Sequence, residues 1–358
     1  MALASGTQPK IFFIGFVGSD YSRSSTIFNT SSTNSVKIYR EVRHKFFEMI
    51  FDLTKMRNEL TQESLVVVMS PCQKLTVASR VLLKRKIYLD AGWPLVDGIL
   101  SRGLTIRSLP KLAILYFLDL ASLHSSAITF VESRAQLERV NKIFWLPRAR
   151  MRVGFTGFNE TSSNETSVSS EKVNEVRRWI SENSFKTIVM FRGRVNLEAG
   201  IGTILEAARE LKSETGFIFL IGSKSIDRNL SENCHLIVGA TVNEMRQLYD
   251  LADITLGQIS NHSRLTYSIP HKAFEAGYFA KCYITTKTNS ILELYQDTDV
   301  FYLQKAGTQE LVKAIKSLES IEMRRSFERK IQHRYQLVAS QKVLSDNFEK
   351  EILSNYLM

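Results

Sequence analysis

The sequence predicts an α/β architecture of two doubly wound domains facing a cleft, with a C-terminal helix able to cross back to the first of them. Three observations carry this expectation. Short apolar runs ending in glycine or proline alternate with segments of helical periodicity, the pattern of parallel strands joined by helices. The alternation lapses in "NETSSNETSVSSEK", residues 159–172, and then starts afresh. The chain's 358 residues also exceed what one core ordinarily serves.

Taken in order, "KIFFIGFVG" (10–18), "SLVVVMSP" (64–71) and "KIYLDAGWP" (86–94) are buried strands closed by breakers. Between the first two, residues 38–60 place Val42, Phe46, Met49, Ile50 and Leu53 at helical spacing beside basic residues, which predicts one amphipathic helix. "AILYFLDLASLHSS" and "RAQLERVNKIF" follow as helices, "AITFVES" and "RMRVGFTG" as strands. Past the linker, "KTIVMFRG", "FIFLIGS", "CHLIVGA", "DITLGQIS" and "KCYITTK" are strands, interleaved with helices in "GIGTILEAARELK", "VNEMRQLYDLA" and "HKAFEAGYF". From "MRRSFERKIQHRY" onward the pattern is helical. The expected divisions are a first domain over 1–158, the linker 159–172, a second domain over 173–335 and a terminal helix over 336–358.

Apolar residues make up 44% and charged residues 23% of the chain, the balance of a folded soluble protein. Cys72, Cys234 and Cys282 are dispersed and lack a CxxC pair, which argues against a disulfide framework or zinc site and for a cytoplasmic location. No signal-peptide pattern is present at the N-terminus. The longest apolar run, residues 112–123, falls short of the ~20 residues a spanning helix needs and contains Asp119. His44, His124, His235, His262 and His333 stand singly, so no metal site is expected.

The net charge of +11 is unevenly placed: residues 1–155 hold 22 Lys and Arg against 11 Asp and Glu, leaving 25 against 25 for the remainder. A basic first half attracts phosphate. The basic helix 38–60 is therefore the expected contact with an anionic membrane surface, peripheral at the inner face. Nucleic acid is not expected, because no aromatic-basic platform or zinc finger accompanies the charge. A nicotinamide dehydrogenase is not expected either, since no complete GxGxxG follows the first strand.

The chemistry concentrates in "SIPHKAFEAG", residues 268–277. A helix N-terminus offers unpaired N–H groups and partial positive charge, a natural cradle for a diphosphate. Pro270 supplies the break, Lys272 an ammonium beside phosphate oxygens, Glu275 two acceptor oxygens suited to a ribose diol, and Gly277 room for a neighbouring element. His271, adjacent to Lys272, is a further contact for phosphate or acceptor.

"MFRGRVNLEAGIGTILEAARELK", "FIFLIGS", "GATVNEMRQLYDLADITLGQIS", "IPHKAFEAGYFAKCYITT" and "SILELYQDTDVFYLQKAGTQELVKAI" resemble, in order and spacing, the nucleotide-sugar domain of family 4 glycosyltransferases of the GT-B fold. This resemblance implies two Rossmann-like domains and a retaining, metal-independent transferase that takes its sugar from a nucleoside diphosphate, with no other cofactor. By likeness, Glu275 binds the ribose, Arg194 neutralises the leaving diphosphate, and Gly193 opens the loop that carries it. Tyr267 stands where the family's first glutamate belongs and Ala199 where it usually has a lysine, leaving Lys272, Arg192 or Arg264 to supply the missing cation. In the first domain "KIYLDAGWP", "AITFVESRAQLERV" and "MRVGFTGFNE" resemble acceptor-side counterparts. Asp90 is the candidate proton acceptor, with a strand-end cap as its alternative role; Trp93 and Asp97 are candidate acceptor contacts, and Gly15 and Gly18 resemble a glycine turn facing the donor.

The function expected is sugar transfer from a nucleoside diphosphate sugar to a glycan or lipid-linked acceptor, as in cell-surface polysaccharide or glycolipid synthesis. A non-catalytic sugar-nucleotide-binding protein is the alternative that Tyr267 and Ala199 favour, and a nucleotide-sugar epimerase is a third.

Overall fold

The computed structural model describes residues 8–16, 22–28, 35–101, 103–160, 170–212, 214–222 and 230–356. The chain divides into two units, Met1–Gly157 with Gln341–Met358, and Phe158–Ser340.

In the first unit the strands are β1 (Lys10–Gly15), β2 (Val36–Glu41), β3 (Leu65–Val68), β4 (Ile87–Gly92), β5 (Ile128–Val131) and β6 (Met151–Val153). Its helices are α1 (Ser22–Phe28), α2 (Phe46–Arg57), α3 (Gln73–Leu83), α4 (Leu95–Leu100), α5 (Leu109–Ser125) and α6 (Arg134–Phe144). The strands form one parallel sheet in the order β2-β1-β3-β4-β5-β6. Strands β3, β4 and β5 are buried at every position, because helices cover both faces of the sheet. On one face Met49, Leu53, Leu75, Leu123 and Val140, from α2, α3, α5 and α6, pack on Phe12, Ile14, Val66 and Val68.

The second unit contains α7 (Glu171–Asn183), β7 (Thr187–Gly193), α8 (Ile201–Glu210), β8 (Thr215–Ile221), β9 (Cys234–Val238), α9 (Val242–Leu251) and β10 (Ile254–Leu256). It continues with α10 (His271–Tyr278), β11 (Cys282–Thr286), α11 (Asn289–Leu294), β12 (Phe301–Leu303), α12 (Thr308–Ser317) and α13 (Ile321–Val338). Its parallel sheet runs β12-β11-β10-β7-β8-β9, the 3-2-1-4-5-6 order of a Rossmann domain read from β7 as the first strand. Helix α9 starts at a reciprocal capping box between Thr241 and Glu244.

The last helix, α14 (Gln341–Tyr356), belongs to the first unit. Phe348 and Ile352 bury against Ile11, Phe13 and Phe130, with the Phe130 and Phe348 ring centroids 4.2 Å apart. Glu351 pairs with Arg152 at 2.6 Å, and Glu349 accepts from the Ser35 hydroxyl. This is the expected return of the C-terminal helix, although α13 ends at Val338 and α14 starts at Gln341, so residues 336–358 are not one helix. Within the expected linker, residues 161–169 lie outside the described residues, while Glu171 and Lys172 already belong to α7.

The helix expected over 38–60 is corrected. Residues Val36–Glu41 are an edge strand paired with β1, and the helix spans only Phe46–Arg57. Its basic character is also offset locally: Arg40 pairs with Glu59, Arg43 with Asp52 and Lys45 with Glu48. Among the described residues no helix is long and apolar enough to cross a membrane.

Candidate active site

In an open parallel sheet the crevice for a ligand opens where neighbouring strands send their connections in opposite directions. In the second unit that point lies between β7 and β10. Strand β7 is buried from Thr187 through Phe191 and then changes character, ending in Arg192 and Gly193, with Arg194 following. Gly193 has a φ of +147°, and a Cβ there would lie 3.4 Å from Lys272 Nζ. The positive φ is what favours glycine here, since a Cβ would make only ordinary contact with the lysine.

Helix α10 begins after Pro270 and buries Lys272 through Gly277. Gly277 lets it press on α13, since a Cβ there would come within 2.8 Å of Tyr335 Cβ. Two of the buried side chains are charged, and a buried charge persists only when partnered. Lys272 Nζ donates to Gly257 O and Gln258 Oε1, both at 3.2 Å, and sits 4.0 Å from the Phe191 ring centroid. Burial lowers its pKa to about 7, partly opposed by Glu275.

Glu275 is fully buried and takes three donors. Its Oε1 accepts from Arg192 and, at 2.8 Å, from His271 Nδ1; its Oε2 accepts from Tyr249 Oη at 2.8 Å. Burial pushes the carboxyl pKa up, but Arg192, His271 and Tyr249 outweigh it and hold the pKa at about 2. This corrects the expectation that Glu275 presents open oxygens to a ribose. The carboxylate instead fixes Arg192 and His271 in place. Tyr249 is held in turn by stacking on Phe279 at 4.4 Å. Nothing in "RQLYDLA" marks it out, because the tyrosine occupies an ordinary core position of α9.

A pocket of about 290 Å³ opens beside this cluster. Arg192, Gly193 and Arg194 form one side, and Leu220, Ile221 and Met245 give it an apolar lining. The Arg192 side chain is 34% exposed, so it keeps an open face despite its bond to Glu275. Arg194 is exposed and makes no side-chain ion pair with another described residue. An apolar slot beside two guanidinium groups suits a flat heterocycle that carries phosphate. Arg264, one of the substitutes considered for the missing cation, is engaged by Glu198 at 2.8 Å. Ala199 is buried in the core of the unit and Tyr267 is nearly so. Among the candidates the sequence names, Arg192, Arg194 and Lys272 are therefore the described cations at this edge of the sheet.

The first-unit candidates do not assemble in the same way. Asp90, at the end of β4, is fully buried and accepts from Arg23 Nε at 2.6 and 2.8 Å. Burial pushes its carboxyl pKa up against the pull of Arg23. The expectation that Asp90 takes an acceptor's proton is corrected: it is an interior ion pair, locked by a partner from α1 that its local sequence does not announce. Asp97 is likewise buried, and Arg139 holds it at 2.8 Å, so it is not an open acceptor contact. Trp93 is half-buried, and its carbonyl accepts from Gln73. The Gly15 carbonyl accepts from Val42 N–H at 2.8 Å, continuing the ladder of β1. Gly18 lies outside the described residues.

No protein-family model matches the chain, and no curated protein matches its sequence. Solved structures do match its shape. Anabaena Alr3699/HepE, crystallised with UDP-glucose, is similar at 11% identity over 97% of this chain and 100% of that one, with a TM-score of 0.70. Sucrose-phosphate synthase from Thermosynechococcus elongatus is similar at 11% identity over 98% and 100%, with a TM-score of 0.69. A UDP-forming trehalose-phosphate synthase from Burkholderia xenovorans is similar at 9% identity over 96% and 100%, with a TM-score of 0.64. Two parallel six-stranded Rossmann-like units, matched along nearly their whole length by these glycosyltransferase structures, give the chain the GT-B fold.

Proposed function

We propose that the protein is a retaining glycosyltransferase that moves a sugar from a nucleoside diphosphate sugar to a glycan or lipid-linked acceptor, without a metal ion. The observation that carries this reading is the pair Arg192 and Arg194 at the carboxyl end of β7, the strand that borders the switch point, beside an apolar pocket that opens at the carboxyl ends of β7, β8 and β9. The base enters between Leu220, Ile221 and Met245, and the diphosphate lies toward the arginines. When the bond from the anomeric carbon to the phosphate oxygen breaks, negative charge grows on the departing diphosphate. Positioned cations stabilise that charge most where they need not reorganise. Glu275 supplies this preorganisation by holding Arg192, while Lys272 adds charge whenever it is protonated. UDP-glucose in the Anabaena structure supports a nucleoside diphosphate sugar as donor.

The second reading, a protein that binds such a donor without turning it over, is favoured by the packed Ala199 and Tyr267, which bring no charge to the site. One experiment separates the two. Nucleoside diphosphate sugars are screened for a rise in Tm, and the best binder is then followed for release of free nucleoside diphosphate with a panel of sugar and lipid-linked acceptors. Release that requires an acceptor and falls in Glu275→Gln supports the transferase. Binding without release supports the second reading, and a new sugar formed without acceptor supports an epimerase. No rise in Tm with any donor removes the proposal.

A further inference from the structure

Residues 64–131 contain three acidic side chains, Asp90, Asp97 and Asp119, and all three are buried. The same stretch exposes Lys74, Arg80, Lys84, Lys86, Arg107 and Lys111. These cations lie on or beside α3 and α5, which pack side by side on one face of the first unit's sheet. Their charge is therefore not offset within the stretch, unlike that of residues 38–60, where acidic residues of the same segment pair with Arg40, Arg43 and Lys45.

The same face is apolar as well as basic. Pro110, Ala113, Ile114, Phe117 and Ala121 recur at helical spacing along α5, and all are exposed. Leu104, Ile106 and Leu109 extend the stripe through the approach to the helix. Ile106 is 86%, Ile114 67% and Phe117 65% exposed. Helix α5 therefore buries one apolar side, with Leu123 in the core, and leaves a second apolar side uncovered. Soluble monomers rarely leave such a continuous stripe to water, and those that do use it for binding.

We propose that the α3–α5 face of the first unit docks on an anionic lipid bilayer. Ile106, Leu109, Ile114 and Phe117 enter the boundary between headgroups and acyl chains, while Lys84, Arg107 and Lys111 meet lipid phosphates. Charge decides the occupant. A second copy of the chain would set this positive face against itself, with no exposed acid from the stretch to pair it. A nucleic acid would use the cations and leave the aliphatic stripe in water. An anionic membrane satisfies both features, and it transfers the contact from α2, where the sequence places it, to α5. The inference does not depend on the sugar-transfer reading.

The test is flotation of the full chain with vesicles of phosphatidylcholine, with and without phosphatidylglycerol, alongside sedimentation analysis in their absence. The expected result is flotation only with phosphatidylglycerol, released by high salt and lowered about tenfold or more in Ile114→Ser with Phe117→Ser. The double variant changes exposed side chains and keeps the Tm of the parent, which shows that it folds. Phe47→Ser, on α2, floats like the parent. Failure to float with anionic vesicles overturns the proposal, as does equal flotation of the double variant. A dimer that the double variant abolishes assigns the face to a second copy instead.

Discussion

Each unit buries a carboxylate against an arginine, and the two pairs differ in what the arginine can still do. In the first unit Arg23 and Asp90 have side chains 4% and 0% exposed, and the pair is closed. In the second, Glu275 is as deeply buried as Asp90, but Arg192 remains 34% exposed at the edge of a pocket. The carboxyl groups also titrate in opposite directions. Asp90 has one charged partner and burial raises it, whereas Arg192, His271 and Tyr249 together hold Glu275 well below its ordinary range. A closed pair spends both charges on the fold, and an open one fixes a cation where an anion can reach it.

The largest expected effect tests the closed pair. Asp90→Ala leaves Arg23 buried without its carboxylate, and urea unfolding is expected to show a loss of ~3–5 kcal/mol. Glu275→Ala is expected to cost less, because Arg192 can turn to water; equal losses would remove the distinction drawn between the two units.

Acid unfolding sharpens the comparison next. The Glu275 pKa is about 2 in the folded protein against an ordinary 4.5, so the unfolded chain binds its proton first as pH falls. The contribution, up to about 3 kcal/mol, is complete above the ordinary value and disappears as pH falls toward 2. Glu275→Gln should flatten the stability profile across that window, and an unchanged slope would show that Glu275 is not held ionised.

The open arginines give a smaller effect, confined to binding. Arg194→Ala is expected to weaken the best nucleoside diphosphate sugar by about tenfold, as loss of a charged hydrogen bond does, with Tm unchanged in the absence of donor. A matching loss of stability would make Arg194 a structural residue.

The smallest effect is a pH dependence of donor binding. Lys272 loses its proton as pH rises through about 7, so calorimetry should show donor affinity falling across that range. Lys272→Met should remove the dependence. Affinity that is flat with pH in the parent protein would leave Lys272 out of the diphosphate site.

Much of the fold was legible because central strands of a doubly covered sheet are apolar on both faces. "LVVV" in β3 and "TIVMF" in β7 can hardly be read otherwise. The edge strand β2 was not legible. Its "VKIYRE" is half-exposed, and its residues run on into the apolar spacing of α2, so one long helix fits the sequence as well. Of the site, Arg192, Gly193, Arg194 and Lys272 could be found by position, since they follow a strand or begin a helix at its carboxyl edge. Tyr249 could not, because a tyrosine on the buried face of α9 is ordinary core until a carboxylate is seen opposite it.

The sequence by itself determined two parallel sheets, their covering helices and the edge at which cations gather, because periodicity and breakers are local properties that a chain carries in any context. Only the tertiary structure decided which charges stay available. Arg23 meets Asp90 across 67 residues and Arg192 meets Glu275 across 83. Whether such a pair closes inward or keeps one face toward solvent depends on desolvation by neighbours that no local stretch records.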